Sequence, residues 1–263
     1  MAGLAIGIDI GGTGIKAALV DVSSGELVSE RLKVATPRGG EPADILAATK
    51  SLVASLDPAG LAPVGIAFPS AIRHGVTLLA ANISKAWIGL EAEKMFERGL
   101  RRSISFVNDA DAAGLAEVRF GAAKDQSGLV IMTTLGTGIG GALIHDGVLI
   151  PNAELGHLEI DHHDAESRAS NAVRERHHMS WKKWAKRLQR YYSHVEMLFS
   201  PELFIVGGGV SKYSNEFLPL LSLRTPIVPA KLLNNAGILG AAVLAYEANG
   251  STDTPGSVGA KAP

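Results

Sequence analysis

Asp9-Ile10-Gly11-Gly12-Thr13-Gly14-Ile15-Lys16 sets three glycines between two apolar runs, Leu4–Ile10 and Ile15–Val22. The runs read as strands and the glycines as the turn joining them. A P-loop or a dinucleotide-binding turn opens a helix; here a second strand follows, so both are excluded. A turn without Cβ atoms lets backbone N–H groups approach an anion closely. Thr13 adds a hydroxyl and Lys16 a positive charge, and Asp9 closes the strand with a carboxylate that suits Mg²⁺, directly or through water. A glycine-rich hairpin around a buried aspartate is the plainer reading of the glycines alone; the eight-residue string favours phosphate.

The same chemistry returns at Leu135-Gly136-Thr137-Gly138-Ile139-Gly140-Gly141, again between apolar runs, Leu129–Leu135 and Gly141–Ile144. Two such turns at matching points of two halves predict a duplicated α/β plan with phosphate contacts split across a cleft. Around them we read strands at Glu26–Val34, Val64–Ile72, Ile104–Val107 and Leu203–Val206. Helices are expected at Pro42–Leu56, Ala110–Phe120 and Ala236–Ala248, with a long helix-prone stretch from about Glu166 to Phe199. Residues 1–109 are expected to form a smaller lobe, residues 110–235 a larger one, and the last helix to pack back on the first. Residues 249–263, rich in Gly, Ser, Thr, Pro and Ala, read as a disordered tail.

The 263 residues are 46% apolar and 19% charged, enough for a sizeable core. With no cysteine there is neither a disulfide nor a thiolate metal site. A formal net charge of −1 gives no general pull toward nucleic acid or anionic membrane. No signal peptide or membrane span is legible, so a cytoplasmic location is expected.

Three further strings carry polar groups suited to chemistry. Asn108-Asp109 stands where a strand meets a helix. That is an N-cap position, or one from which a carboxylate faces a substrate hydroxyl; the helix N-terminus should lower the Asp109 pKa and leave it a weak base. Glu154-Leu155-Gly156-His157, with Asp161, His162, His163, Asp164 and Glu166 following, could bind adjacent sugar hydroxyls, ligate a metal or be a solvated loop. Val206–Ser211 runs a buried strand into Gly207-Gly208-Gly209, a turn on which a phosphate chain could lie.

Taken in order, these strings resemble the ROK family of sugar kinases over about residues 4–248. Pro151–Ser170 and Ser193–Ser211 resemble its polyphosphate-using subgroup. The resemblance implies an actin-like ATPase (ribonuclease H-like) fold, two lobes around a central cleft, and dimerisation. It implies transfer of a phosphoryl group from polyphosphate, ATP or both to the 6-hydroxyl of glucose, with mannose as a further acceptor. Asp109 would be the general base. Asn82, Asn108, Glu154, His157 and Glu166 would hold the sugar. Asp9, Gly11, Gly12, Thr13, Gly14, Lys16, Gly136, Thr137, Gly138, Gly208 and Gly209 would face the phosphates and Mg²⁺. ROK kinases usually carry a cysteine-rich zinc cluster after the Gly-His pair; this chain has none, so no structural zinc is expected. A second departure is Ser70, where a glycine usually follows the proline of Phe68-Pro69.

On the helix opening at Ser180, Trp181, Trp184, Ala185, Leu188, Tyr191, Tyr192, Val195 and Leu198 share a face, with Lys182, Lys183, Lys186, Arg187 and Arg190 largely opposite. That basic side is a solvated surface or a path for polyphosphate. The rival functions are an ATP-only hexokinase for another sugar, a sugar-responsive repressor and a non-catalytic sugar binder. The repressor would need a DNA-binding segment before Asp9, and the non-catalytic binder fits poorly with an intact Asp109.

Overall fold

The computed structural model describes residues 3–80 and 83–250. In chain order the first half contains β1 (Leu4–Ile10), β2 (Gly14–Asp21), β3 (Glu26–Leu27), β4 (Leu32–Ala35), α1 (Pro42–Leu56) and β5 (Val64–Phe68). A short hairpin, β6 (Ile72–Arg73) with β7 (Val76–Thr77), precedes α2 (Ala92–Leu100) and β8 (Ile104–Asn108). The second half runs α3 (Asp109–Phe120), β9 (Leu129–Leu135), β10 (Ile139–His145), β11 (Val148–Ile150), β12 (Glu159–Ile160) and β13 (His163–Asp164). It continues through α4 (Glu166–Ala169), α5 (Asn171–Arg176), α6 (Trp181–Phe199), β14 (Leu203–Gly207), α7 (Ser214–Phe217), β15 (Ile227–Pro229) and α8 (Ala236–Gly250).

Both halves build the same sheet. The first has strand order β3-β2-β1-β5-β8, with β4 also on β2; the second has β11-β10-β9-β14-β15. In each, an antiparallel meander is followed by two strands added in parallel. Each glycine-rich turn therefore joins the first two strands of its own sheet, which is the duplicated plan that the two turns predict.

The cores follow from strand composition. β5 and β14 are buried along their whole length, as near-continuous apolar strands in the parallel part of a sheet should be. In the first lobe Phe68 packs on Trp87 at a ring separation of 4.4 Å. In the second, α6 buries Trp184, Leu188, Tyr191, Tyr192 and Val195, each worth about 1.5–3 kcal/mol of apolar transfer. The Tyr192 hydroxyl shares a 2.6 Å hydrogen bond with Thr133 on β9.

α8 packs on β1 and β5 on one side and on α3 on the other. Glycine makes this possible. A Cβ on Gly7 would stand 1.9 Å from the Ile238 carbonyl oxygen, one on Gly65 1.9 Å from that of Ala241, and one on Gly240 1.8 Å from that of Ala112.

Several sequence expectations are corrected. The strand expected over Glu26–Val34 is two, because the Ser29 hydroxyl accepts the Leu19 N–H and takes the place of a ladder partner. The strand expected over Val64–Ile72 stops at Phe68, before Pro69. The stretch 166–199 is three helices, restarted where the hydroxyls of Ser170 and Ser180 accept the N–H groups of Val173 and Lys183. Leu198 is 51% exposed rather than part of the buried face of α6, whose seventh buried position is Glu196, accepting from Thr225 N. α8 continues through Asn249 and Gly250, which the sequence assigned to the tail; residues 251–263 lie outside the described residues.

Candidate active site

The cleft between the sheets holds a cavity of about 150 Å³ into which Asp9, Lys16, Asp109, Thr134, Gly208 and Ser211 project or open. Asp9 and Lys16 are direct cross-strand partners on β1 and β2, and Lys16 Nζ donates to Asp9 Oδ2 at 2.9 Å. The turn between them is closed by Gly11 N–H donating to the Gly14 carbonyl, while Thr36 Oγ1 donates to the Gly11 carbonyl. Gly12 and Thr13 are exposed at its tip.

The second turn is closed in the same way, by Gly136 N–H to the Gly138 carbonyl, with Thr137 exposed. Gly208, just past the end of β14, has φ +83° and lies beside the end of β9; a Cβ there would stand 2.6 Å from the Leu135 carbonyl oxygen. Ser211 Oγ donates to the Gly208 carbonyl at 2.9 Å. The second and third glycine turns thus meet on one wall.

Asp109 is the first residue of α3. Asn108 is the cap: its Oδ1 accepts the N–H groups of Ala110 and Asp111, and its Nδ2 donates to the Ser70 carbonyl at 3.0 Å. Asp109 Oδ1 also accepts the Ala110 N–H, at 2.8 Å. That bond lowers the carboxyl pKa, as the helix-terminus argument anticipates, but it does not win. Burial, then the charge of Asp9, push Asp109 up to about 7, with Glu154 and Asp111 acting in the same direction. The expectation of a weak base is corrected: half-buried at the cavity wall and facing other acids, Asp109 takes up a proton more readily than an ordinary aspartate. Asp111, fully buried, is likewise pushed up to about 7, chiefly by burial.

Glu154 and His157 sit on a short turn after β11. Burial holds the Glu154 carboxyl above its usual value, with Glu166 adding and His157 opposing. His157 is raised mainly by its hydrogen bond to Asp164, Nδ1 to Oδ2 at 2.7 Å. Glu166 lies across the second glycine turn: its Oε2 accepts the Ile139 N–H at 3.0 Å, and a Cβ on Gly138 would meet that oxygen at 2.2 Å. Ligand atoms of His157, Asp164 and Glu166 lie within 4.8 Å of one another, the grouping that the metal reading of this loop requires. Asn82 lies outside the described residues.

Residues 5–172 match the ROK family. The chain belongs to the ROK family. Polyphosphate glucokinase of Mycobacterium tuberculosis (strain CDC 1551 / Oshkosh) is 46% identical to this ROK chain over 239 residues, 90% of this chain and 89% of that one. The crystal structure of inorganic polyphosphate/ATP-glucomannokinase from Arthrobacter sp. strain KM matches with a TM-score of 0.88 and 54% identity, covering 93% of this chain and 99% of that one. A ROK family glucokinase from Streptomyces griseus, solved with glucose and AMPPNP, matches with a TM-score of 0.79 and 27% identity, covering 93% and 100%.

The ROK chain's departure at Ser70 has a structural account. Its side chain is buried, with Oγ donating to the Ala71 carbonyl and accepting the Leu79 N–H. The hydroxyl therefore ties the segment after Pro69 to the irregular segment that follows the β6–β7 hairpin. Sequence reasoning missed Thr134, Leu233 and Asn234 as cleft residues. Leu233 and Asn234 come from a short turn before α8, which no spacing pattern announces.

The basic side of α6 divides. Lys182, Lys183 and Lys186 are exposed, whereas Arg187 donates to the Arg168 carbonyl at 2.8 Å and Arg190 pairs with Asp161 at 2.7 Å.

Proposed function

We propose that this chain is a polyphosphate- and ATP-using glucokinase, which makes glucose 6-phosphate in the cytoplasm. The observation that carries this reading is the juxtaposition of Asp109, raised to about 7, with Lys16 and the Gly207–Gly208 turn around one cavity. The identity to a polyphosphate glucokinase and to a polyphosphate/ATP-glucomannokinase supports the donor assignment, and mannose is a further acceptor on the same grounds. We place the lobe boundary at residue 109, with α8 completing the first lobe, and assign a homodimer as the working state.

In this mechanism the sugar 6-hydroxyl attacks the terminal phosphorus. A new P–O bond forms, the bond to the bridging oxygen of the donor breaks, and the hydroxyl proton passes to Asp109. The shortened donor departs with the bridging oxygen. Glu154, His157 and Glu166, with Asn108 and Asn82, orient the sugar through its other hydroxyls. Glycine backbone from Gly11–Gly14, Gly136–Gly138 and Gly208–Gly209, with Thr13, Thr137 and Lys16, receives the phosphates. Phosphoryl transfer asks for positioning and charge balance above base strength.

The residues fit Mg²⁺. Asp9 and Asp109 offer hard oxygen donors, and their mutual repulsion, seen in the raised Asp109 pKa, is what a divalent cation relieves. Asp9 would hold the ion, directly or through water, and the ion would offset phosphate charge. Without cysteine, the His157–Asp164–Glu166 group is assigned to the sugar and not to structural zinc.

Steady-state turnover of glucose with purified polyphosphate and with ATP, at matched Mg²⁺, tests the reading. Product from both donors is expected, and no glucose 6-phosphate from either would end it. We also assign Lys182, Lys183 and Lys186, with Arg187 beside them, to the donor path. Replacing the three lysines by Gln should raise KM for long-chain polyphosphate about tenfold and leave KM for ATP within about twofold, because only the longer polyanion reaches past the cleft. Equal effects on both donors would remove the path.

A further inference from the structure

The first turn of α3 is tied to more than Asp109. Asp111 Oδ2 accepts the N–H of Asn152 at 2.7 Å, and Asn152 in turn crosses the cleft with both ends of its amide. Its Oδ1 accepts the Ile72 N–H at 2.7 Å, and its Nδ2 donates to the Ile72 carbonyl at 2.8 Å. A side chain thus pairs with both backbone groups of one residue, as a neighbouring strand would. Asn152 holds φ +63°, a left-handed conformation that asparagine adopts more readily than most residues.

The consequence is geometric. Asn152 precedes Glu154 by two residues and His157 by five. The far side of this loop is seated on β10: Gly141 and Gly156 leave room for the Ala153 and Ile139 carbonyl oxygens, which a Cβ would meet at 2.6 and 2.2 Å. Its near side meets the first lobe and α3 where Asn152 binds Ile72 and Asp111. The segment 70–72 is gripped a second time by the N-cap of α3, with Asn108 Nδ2 donating to the Ser70 carbonyl. Helix α3, the Glu154–His157 loop and the first lobe therefore share one junction, and Asp109 sits on the same helical turn.

We propose that Asn152 is a positioning residue for the sugar: its amide bridge to Ile72, held by Asp111, sets the separation between Asp109 and the Glu154–His157 loop. It acts on the acceptor and not on the phosphate donor, whose contacts lie on the glycine turns. Buried Asp111 serves as the anchor through Oδ2 on the Asn152 N–H; among the described residues its Oδ1 meets no hydrogen-bond partner. The inference rests on the assignment of this cleft to a hexose.

The test uses Asn152→Gly, which tolerates the left-handed backbone and keeps the N–H on Asp111 while deleting both bonds to Ile72. Glucose KM should rise about tenfold or more, with the donor KM within about twofold and little change in melting temperature. Asp111→Asn keeps an acceptor for the Asn152 N–H and should hold glucose KM within about threefold; Asp111→Ala should reproduce the Asn152→Gly defect. An unchanged glucose KM in Asn152→Gly, or an equal rise in both KM values, overturns the proposal. Asp111→Asn as impaired as Asp111→Ala also overturns it, because the anchor would then act by charge. Wild-type protein that fails to phosphorylate glucose refutes the assignment of the cleft itself, whereas active wild type with unaffected variants refutes only the role of Asn152.

Discussion

Asp109→Asn is expected to lower kcat by about a thousandfold, in the middle of the range for loss of a positioned proton acceptor, with glucose KM little altered. The amide keeps the size of the carboxylate and can still accept the Ala110 N–H, so the fold and the cap are preserved. What disappears is the group that takes the 6-hydroxyl proton. The same carboxyl governs pH dependence. With Asp109 raised to about 7, the free enzyme should lose kcat/KM for glucose as pH falls through that value, and bound Mg²⁺ should move the transition lower.

Stability carries an opposite sign that can be checked separately. The unfolded chain releases this proton near the ordinary aspartate value of about 4, whereas the folded protein keeps it until about 7. Between those values the fold binds more protons, so the contribution of Asp109 to stability falls as pH rises from about 4 to 7. Asp111 acts in the same direction. The Asp109→Asn variant should therefore melt at a higher temperature than the parent at pH 8 and show no such advantage at pH 4. A variant with parental kcat would remove the carboxylate from the mechanism.

The second large effect concerns folding. Gly65→Ala should cost about 3 kcal/mol, the upper part of the usual overpacking range, and lower the melting temperature by about 10 °C. The new methyl would stand 1.9 Å from the Ala241 carbonyl oxygen, and a backbone atom in a helix cannot swing aside as a side-chain tip can. Gly240→Ala, against the Ala112 carbonyl, should behave alike. Gly136→Ala is the control: a Cβ there meets nothing within 4 Å, so stability should stay within about 0.5 kcal/mol. Denaturant midpoints would measure all three, and a Gly65→Ala midpoint equal to the parent's would show that α8 can shift without cost.

Much of the plan was legible because it rests on short-range chemistry. β1, α1 and β9 begin and end where apolar periodicity and Pro or Gly signals place them. The glycine turns were legible for the same reason. Helix α2 was missed although its polar and apolar residues separate sharply onto two faces: it is only nine residues long and buries just Ala92 and Phe96. The three-way split of residues 166–199 depends on two serine caps and on His178 at φ +46°, local choices that an apolar stripe does not record. In the site, Asp109 was legible as a residue but its proton affinity was not. That affinity is set first by burial, which exists only after the lobes meet, and then by Asp9, one hundred positions earlier. Asn152 stood within the Pro151–Ser170 stretch, yet its partner Ile72 is an apolar residue offering only backbone, which no motif encodes.

The placing of α8 has a consequence for synthesis on the ribosome. β1 leaves the exit tunnel well before the helix that covers it and β5, which is not complete until the chain reaches residue 250. The first sheet must wait with an apolar face uncovered while the whole second lobe is translated. Nascent chains stalled before residue 236 should therefore stay protease-sensitive and chaperone-bound in their first hundred residues, and release of the final helix should seal both halves in one step.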